Sequence, residues 1–311
     1  MLKIRVLGSA AGGGFPQWNC NCTMCNGQRS GALNALARTQ SSIAVTGDGT
    51  DWLLFNTSPD ILTQLKATPD LQPARNVRDT AIAGIFLLDA QIDHTTGLLM
   101  LREHAAPLSV WCTAPVREDL TTGNPLLNVL SHYCDTEWNQ IEPGLAYQSI
   151  PGARDISVNV LPLISNAPPY SPRRDQPVPG DTVGVMMTDN KSKRSVFYAP
   201  GLGQIEPHVW EAMQQSDVVL VDGTMWTDNE MQEAGISART ARAMGHLPQT
   251  GEGGMLEWLE KLPQSVRKVL IHINNTNPIL DEDSPQRAEL TDRNIEVAYD
   301  GMLIDLSLIH I

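Results

Sequence analysis

Residues 82–100, IAGIFLLDAQIDHTTGLLM, constrain the fold more than any other stretch of the chain. Residues 85–88 are continuously apolar, the pattern of a strand buried on both faces, and residues 95–101 begin a helix. Between them lie Asp89, Gln91, Asp93 and His94, so polar side chains leave the end of a buried strand and enter a loop. Such a loop is a place to hold a metal; the bland alternative is a strand followed by an N-cap at Asp93 and an uninvolved histidine.

The same pattern recurs twice: the apolar residues 218–221 end at Asp222, and residues 269–271 end at His272. Donors at strand ends gather along one edge of a sheet, so these residues can meet although they are far apart in sequence. Further strands are expected at residues 2–7, 38–45, 52–55, 108–112, 182–187 and 195–198, with helices at 61–67, near 116–120, near 206–214 and over 250–262. Residues 297–306 suit a closing edge hairpin. The proline-rich segment 165–181 is too polar for core and long enough to be functional. Gly8, Gly12, Gly13 and Gly14 free the backbone to turn tightly, but their spacing and the lack of a lysine argue against a phosphate loop. The patterning gives a mixed α/β chain, and 311 residues with a 41% hydrophobic fraction suffice for one large domain over 1–311.

The first loop resembles the metal loop His-x-His-x-Asp-His of the metallo-β-lactamase superfamily, reading here Asp89-Ala-Gln91-Ile-Asp93-His94. The resemblance implies an αββα sandwich of two mixed sheets flanked by helices. In that superfamily the leading histidines serve one metal and the Asp-His pair a second, which an Asp and a His in the positions of Asp222 and His272 complete. Asp93, His94, Asp222 and His272 would then hold one metal. Its companion site is crippled, because Asp89 and Gln91 replace histidines and none stands at Ser165-Asn166. A neutral amide is a poor zinc ligand beside imidazole or carboxylate. The remaining set is close in kind to the two-His-one-carboxylate set of non-haem Fe(II) oxygenases. His246, in Met-Gly-His-Leu-Pro, resembles the Gly-His motif of ribonuclease Z-like members, which implies a general acid/base or a hydrogen bond to substrate. His104, His132, His208 and His310 lack such a context and are read as structural.

Cys20-Asn-Cys22-Thr-Met-Cys25 puts three thiolates on a tight loop, at spacings that suit a structural Zn²⁺. A subgroup of the superfamily that includes phosphonate-pathway phosphodiesterases carries this motif, with a fourth-ligand histidine where this chain has Asn275. The fourth donor therefore stays open between the Asn275 oxygen, a residue elsewhere and a partner chain. Cys112 and Cys134 read as buried fillers, and the five cysteines do not make a disulfide framework.

With the segments ARTQSSIAV, NTSPDI, NAPPYSP, VDGTMW and IHINNTNPIL, the chain is similar up to Leu280 to a family of pyrroloquinoline quinone (PQQ) biosynthesis proteins on this scaffold. The resemblance implies an Fe(II)/O₂-dependent hydroxylase of the tyrosine ring in a cross-linked Glu-Tyr intermediate, with Zn²⁺, Mn²⁺, Mg²⁺ or Cu²⁺ able to occupy the same ligands. Asp89, Gln91 and His246 would orient O₂, water or the phenol. Tyr170, Arg173, Arg174, Asn274, Asn275 and Asn277 are expected substrate contacts, since an arginine fork matches carboxylate geometry. The rivals are a metal-dependent hydrolase and a non-catalytic carrier of PQQ or its precursor. Twenty-two basic against 35 acidic residues, a formal charge of -13, argue against nucleic acid as partner. No apolar run approaches the ~20 residues that span a bilayer, and the N-terminus turns polar too soon for a signal peptide, so a cytoplasmic protein without membrane insertion is expected. Association into a homodimer through the zinc-bearing loop completes the expectation.

Overall fold

Apolar side chains repeating with period two build two sheets in the computed structural model, which describes residues 1–308, so that His310 lies outside the described residues. The strands are β1 Lys3–Gly8, β2 Ser42–Thr46, β3 Trp52–Phe55, β4 Ile82–Phe86, β5 Leu108–Cys112, β6 Thr136–Gln140, β7 Ala146–Tyr147, β8 Ile156–Pro162, β9 Val183–Asp189, β10 Ser195–Ala199, β11 Val218–Asp222, β12 Arg267–Ile271, β13 Ile295–Val297 and β14 Leu303–Asp305. The first sheet has the order β14-β1-β2-β3-β4-β5-β6 and the second β13-β12-β11-β10-β9-β8-β7. Each is antiparallel in one half and parallel in the other: β3 to β6 run parallel, as do β10 to β13.

The alternation sorts each strand's residues between two cores. Phe55 and Phe86 of the first sheet meet Tyr198, Leu220 and Ile271 of the second in the layer between the sheets. Their neighbours Leu54 and Ile85 face outward under Ile61, Leu98 and Val116, while Val219 and Leu270 face outward under Val209, Met213 and Leu259. Helices thus cover both outer faces, which makes the expected αββα sandwich and explains why the central strands are apolar on both sides.

Two expectations change. Residues 297–306 do not form a hairpin: β13 joins the second sheet beside β12, while β14 pairs antiparallel with β1 in the first. The helix expected over 250–262 is confined to Met255–Lys261, because Gly251 and Gly253 take left-handed φ of 88° and 66° that halt it upstream.

Candidate metal centre

The parallel halves of both sheets end at the same edge, and that edge carries the site. The first sheet delivers residues 89–94 from the end of β4. The second delivers Asp222 as the last residue of β11 and His272 just beyond β12. The sheets are tied there by an isolated bridge between Asp89 and Thr182 and by the Val183 N–H donating to the Leu88 carbonyl at 2.9 Å. His272 has a left-handed φ of 61°, a strained backbone for a residue with a Cβ, held by the Ile273 N–H on the Ser9 carbonyl at 2.9 Å. The glycine-rich loop after β1 closes the wall: a Cβ on Gly12 would stand 3.1 Å from Asp93 Oδ2.

Asp93, His94 and His272 bring donor atoms within 4.8 Å of one another. Asp93 Oδ2 lies 3.6 Å from His94 Nε2 and 3.5 Å from His272 Nε2. Both Nε2 atoms are buried and have no hydrogen-bond partner among the described residues, which is costly unless an ion takes up their lone pairs. Donors about 2.1 Å from a shared ion stand roughly 3–3.5 Å apart, so the cluster fits a divalent metal.

The opposite ring nitrogens are committed. His94 Nδ1 donates to both oxygens of Asp89, at 2.8 and 2.9 Å. Asp89, at a position where the superfamily motif has a ligand histidine, here holds the His94 ring instead. Gln91 is engaged likewise, its Nε2 donating to the Asn166 carbonyl at 3.0 Å. Thr224 Oγ1 lies 2.6 Å from Asp222 Oδ1 and 2.9 Å from His272 Nδ1. An ionised carboxylate only accepts, so the single hydroxyl proton goes to Asp222 and the threonine oxygen accepts from His272 Nδ1–H. The lone pair of His272 is thereby left on Nε2, facing Asp93.

Asp222, His246 and His272 form a second triad that shares His272 with the first. Asp222 Oδ2 accepts from His246 Nδ1 at 2.6 Å and from the Leu202 N–H at 2.8 Å, so Asp222 reaches the first triad through hydrogen bonds. Burial opposes the charge of Asp222, but His246 outweighs it and holds the carboxyl below its ordinary range. Burial also opposes the charge of His94; the Asp89 and Asp93 carboxylates prevail and raise it to about 9. Asp93 is driven the other way, well below the carboxylate range, by His94 and His272 against the cost of burial.

A cavity of about 270 Å³ opens above these donors, lined also by His246, Gln91, Arg174 and Asn274. The other expected substrate contacts are used elsewhere. Arg173 is locked to Asp181 at 2.7 Å, to Asp119 at 2.9 Å and to Glu118. Asn277 is fully buried, donating to the carbonyls of Gly223 and Thr224. Tyr170 gives its hydroxyl to the Ala90 carbonyl, pinning the proline-rich segment to the metal loop. Two residues escaped the sequence reading: Thr224, whose signal was its place two residues after Asp222, and Arg239, which lines the cavity from an unpatterned loop.

Asn275 belongs to the cysteine cluster. The sulfurs of Cys20, Cys22 and Cys25 lie within 4.8 Å of one another, and the Asn275 amide nitrogen stands 3.2 Å from Cys20 Sγ and 3.3 Å from Cys25 Sγ. The two ends of a carboxamide exchange by a simple flip, so the fourth corner of a Zn²⁺ site is occupied by the side chain whose oxygen can supply it. Cys22 also caps the helix Thr23–Ser30 that carries Cys25.

Residues 51–273 match the family model described as Beta-lactamase superfamily domain. Fold and donor cluster thus define a metallo-β-lactamase-type scaffold that bears, in addition, a thiolate knuckle. Coenzyme PQQ synthesis protein B of Azoarcus sp. (strain BH72) is 67% identical over 98% of this chain and 100% of its own length. The crystal structure of Zn²⁺-bound PqqB from Methylobacterium extorquens superposes with a TM-score of 0.90 at 34% identity, covering 98% of this chain and 100% of that one. The chain belongs to the coenzyme PQQ synthesis protein B family. A diphosphatase of the PhnP family, 17% identical with a TM-score of 0.65 over 97% of this chain and 96% of its own, shares the fold alone.

Proposed function

We propose that this chain acts in coenzyme PQQ synthesis as an Fe(II)/O₂-dependent hydroxylase of the tyrosine ring in the cross-linked Glu-Tyr intermediate. The observation that carries this reading is the pair of buried, unpartnered Nε2 atoms of His94 and His272 facing Asp93. Two imidazoles and one carboxylate are the ligand set of non-haem Fe(II) oxygenases, in which the bound metal supplies O₂ activation beside the substrate. The chain's own side chains do the rest. Asp89 and Thr224 fix the two ligand rings, and the small cavity admits a compound of a few residues' mass while excluding a folded protein. His246, tethered through Nδ1 to Asp222, keeps its other nitrogen for the cavity it lines, where it takes or returns the phenolic proton.

A binuclear hydrolase would need a free second set of donors beside the first; Asp89 and Gln91 are engaged by His94 and Asn166, and in the second triad Asp222 is engaged by His246 and Thr224. The test is anaerobic reconstitution with Fe(II), then O₂ and the cross-linked Glu-Tyr diamino acid, with the product weighed by mass spectrometry. A product heavier by oxygen, absent with His94→Ala, is expected; unchanged substrate with no O₂ uptake would overturn the reading.

A further inference from the structure

We infer that Arg174 and Arg239 form a two-point clamp, at the mouth of the metal cavity, for a ligand bearing two or more carboxylates. Both line the cavity, Arg174 from the proline-rich segment and Arg239 from the loop that precedes the helix Ala241–Met244. One N–H of Arg174 donates to the Ala167 carbonyl, and one of Arg239 to the Ala243 carbonyl. The Ala243 carbonyl also accepts from Asn166 Nδ2 at 3.0 Å, and Ser165 Oγ donates to the Gly245 carbonyl at 2.9 Å. The two guanidiniums are therefore fastened to adjoining points of one seam.

Arg173, one residue from Arg174, takes carboxylates on three sides. Among the described residues neither Arg174 nor Arg239 is paired with an Asp or Glu, although the chain carries a surplus of acids. Each keeps the greater part of its N–H fork for a carboxylate from outside. Deeper in the cavity Met225, Met231 and Met244 offer thioether surface to an aromatic ring. A ligand with acidic groups at one end and a ring at the other is thus oriented ring-first, towards His94 and His272.

This clamp rests on the cavity being the substrate site, and is independent of the oxygenase chemistry. Isothermal titration of the purified protein with glutarate, butyrate and dimethyl glutarate tests it. Glutarate should bind at least tenfold tighter than the other two. Arg239→Gln and Arg174→Gln should each weaken glutarate at least tenfold, with partial recovery in Arg239→Lys and no change in metal content or thermal midpoint. Glutarate affinity that survives both arginine variants, or that is lost only in His94→Ala, would overturn the clamp. Glutarate binding that obeys the arginines in a protein that leaves the Glu-Tyr compound unoxidised would refute the hydroxylase reading alone.

Discussion

The Thr224 hydroxyl stands 2.9 Å from His272 Nδ1 and 2.6 Å from Asp222 Oδ1, so one proton settles which nitrogen of His272 faces the metal donors. Replacing it with an isosteric methyl leaves Nδ1 without an acceptor and lets the ring adopt the wrong tautomer. Thr224→Val should weaken Fe(II) or Co(II) binding about 10- to 100-fold, as loss of such outer partners does, while Thr224→Ser keeps it. Competition with a chelator measures the difference; equal affinities in all three proteins would remove Thr224 from this role.

His94 gives the site a pH dependence whose sign is fixed. In the ion-free protein its imidazolium persists up to about 9, and a metal must displace that proton to reach Nε2. Affinity should therefore rise roughly tenfold per pH unit on approaching pH 9 and level off above it. Asp89→Asn removes the carboxylate that raises His94, so the plateau should begin at lower pH and lie at weaker affinity. Titrations in buffers from acid to alkaline decide this.

Arg173 serves stability. Asp119 and Asp181 are buried beneath it, with side-chain exposures of 1% and 2%, and Arg173→Ala leaves both carboxylates unpaired. A loss of about 3 kcal/mol is expected in chemical denaturation, with the KM for substrate unchanged in the folded fraction. A raised KM at unaltered stability would return Arg173 to the substrate site.

The cysteine knuckle and the cavity site should lose their ions separately. Cys22→Ser is expected to release one zinc per chain without touching the metal bound by His94, and Asn275→Ala to release it at a lower chelator concentration. Metal analysis after dialysis would contradict the assignment if Asn275→Ala held zinc as firmly as the parent.

The apolar runs that end at residues 88, 221 and 271 are legible in the sequence because strands buried on both faces read as unbroken apolar stretches, and the polar residue that follows each stands out. Pairing is less legible. β13 and β14 carry the same alternating pattern that two arms of a hairpin would, and only contacts with β12 and β1 send them to different sheets. β6 is half-exposed and polar, so it has no apolar run to announce it. The helix Pro285–Asp292 lacks an amphipathic stripe, though the Ser284 cap with proline at the first helical position marks its start. At the site, the candidate donors stand out at the ends of apolar runs and the resemblance of the first loop assigns them to a metal, whereas Asp89 and Thr224 act through the far side of an imidazole, a relation that exists only in three dimensions.

The proposed hydroxylase requires one catalytic ion per chain, held between Asp93, His94 and His272, with no companion at Asp89 and Gln91. Anomalous difference maps at the iron and zinc edges, from crystals reconstituted with Fe(II), test it most directly. A single iron peak among those three side chains and a zinc peak at the three cysteines are expected. A pair of iron peaks roughly 3.5–4 Å apart, the second against Asp89, would contradict it.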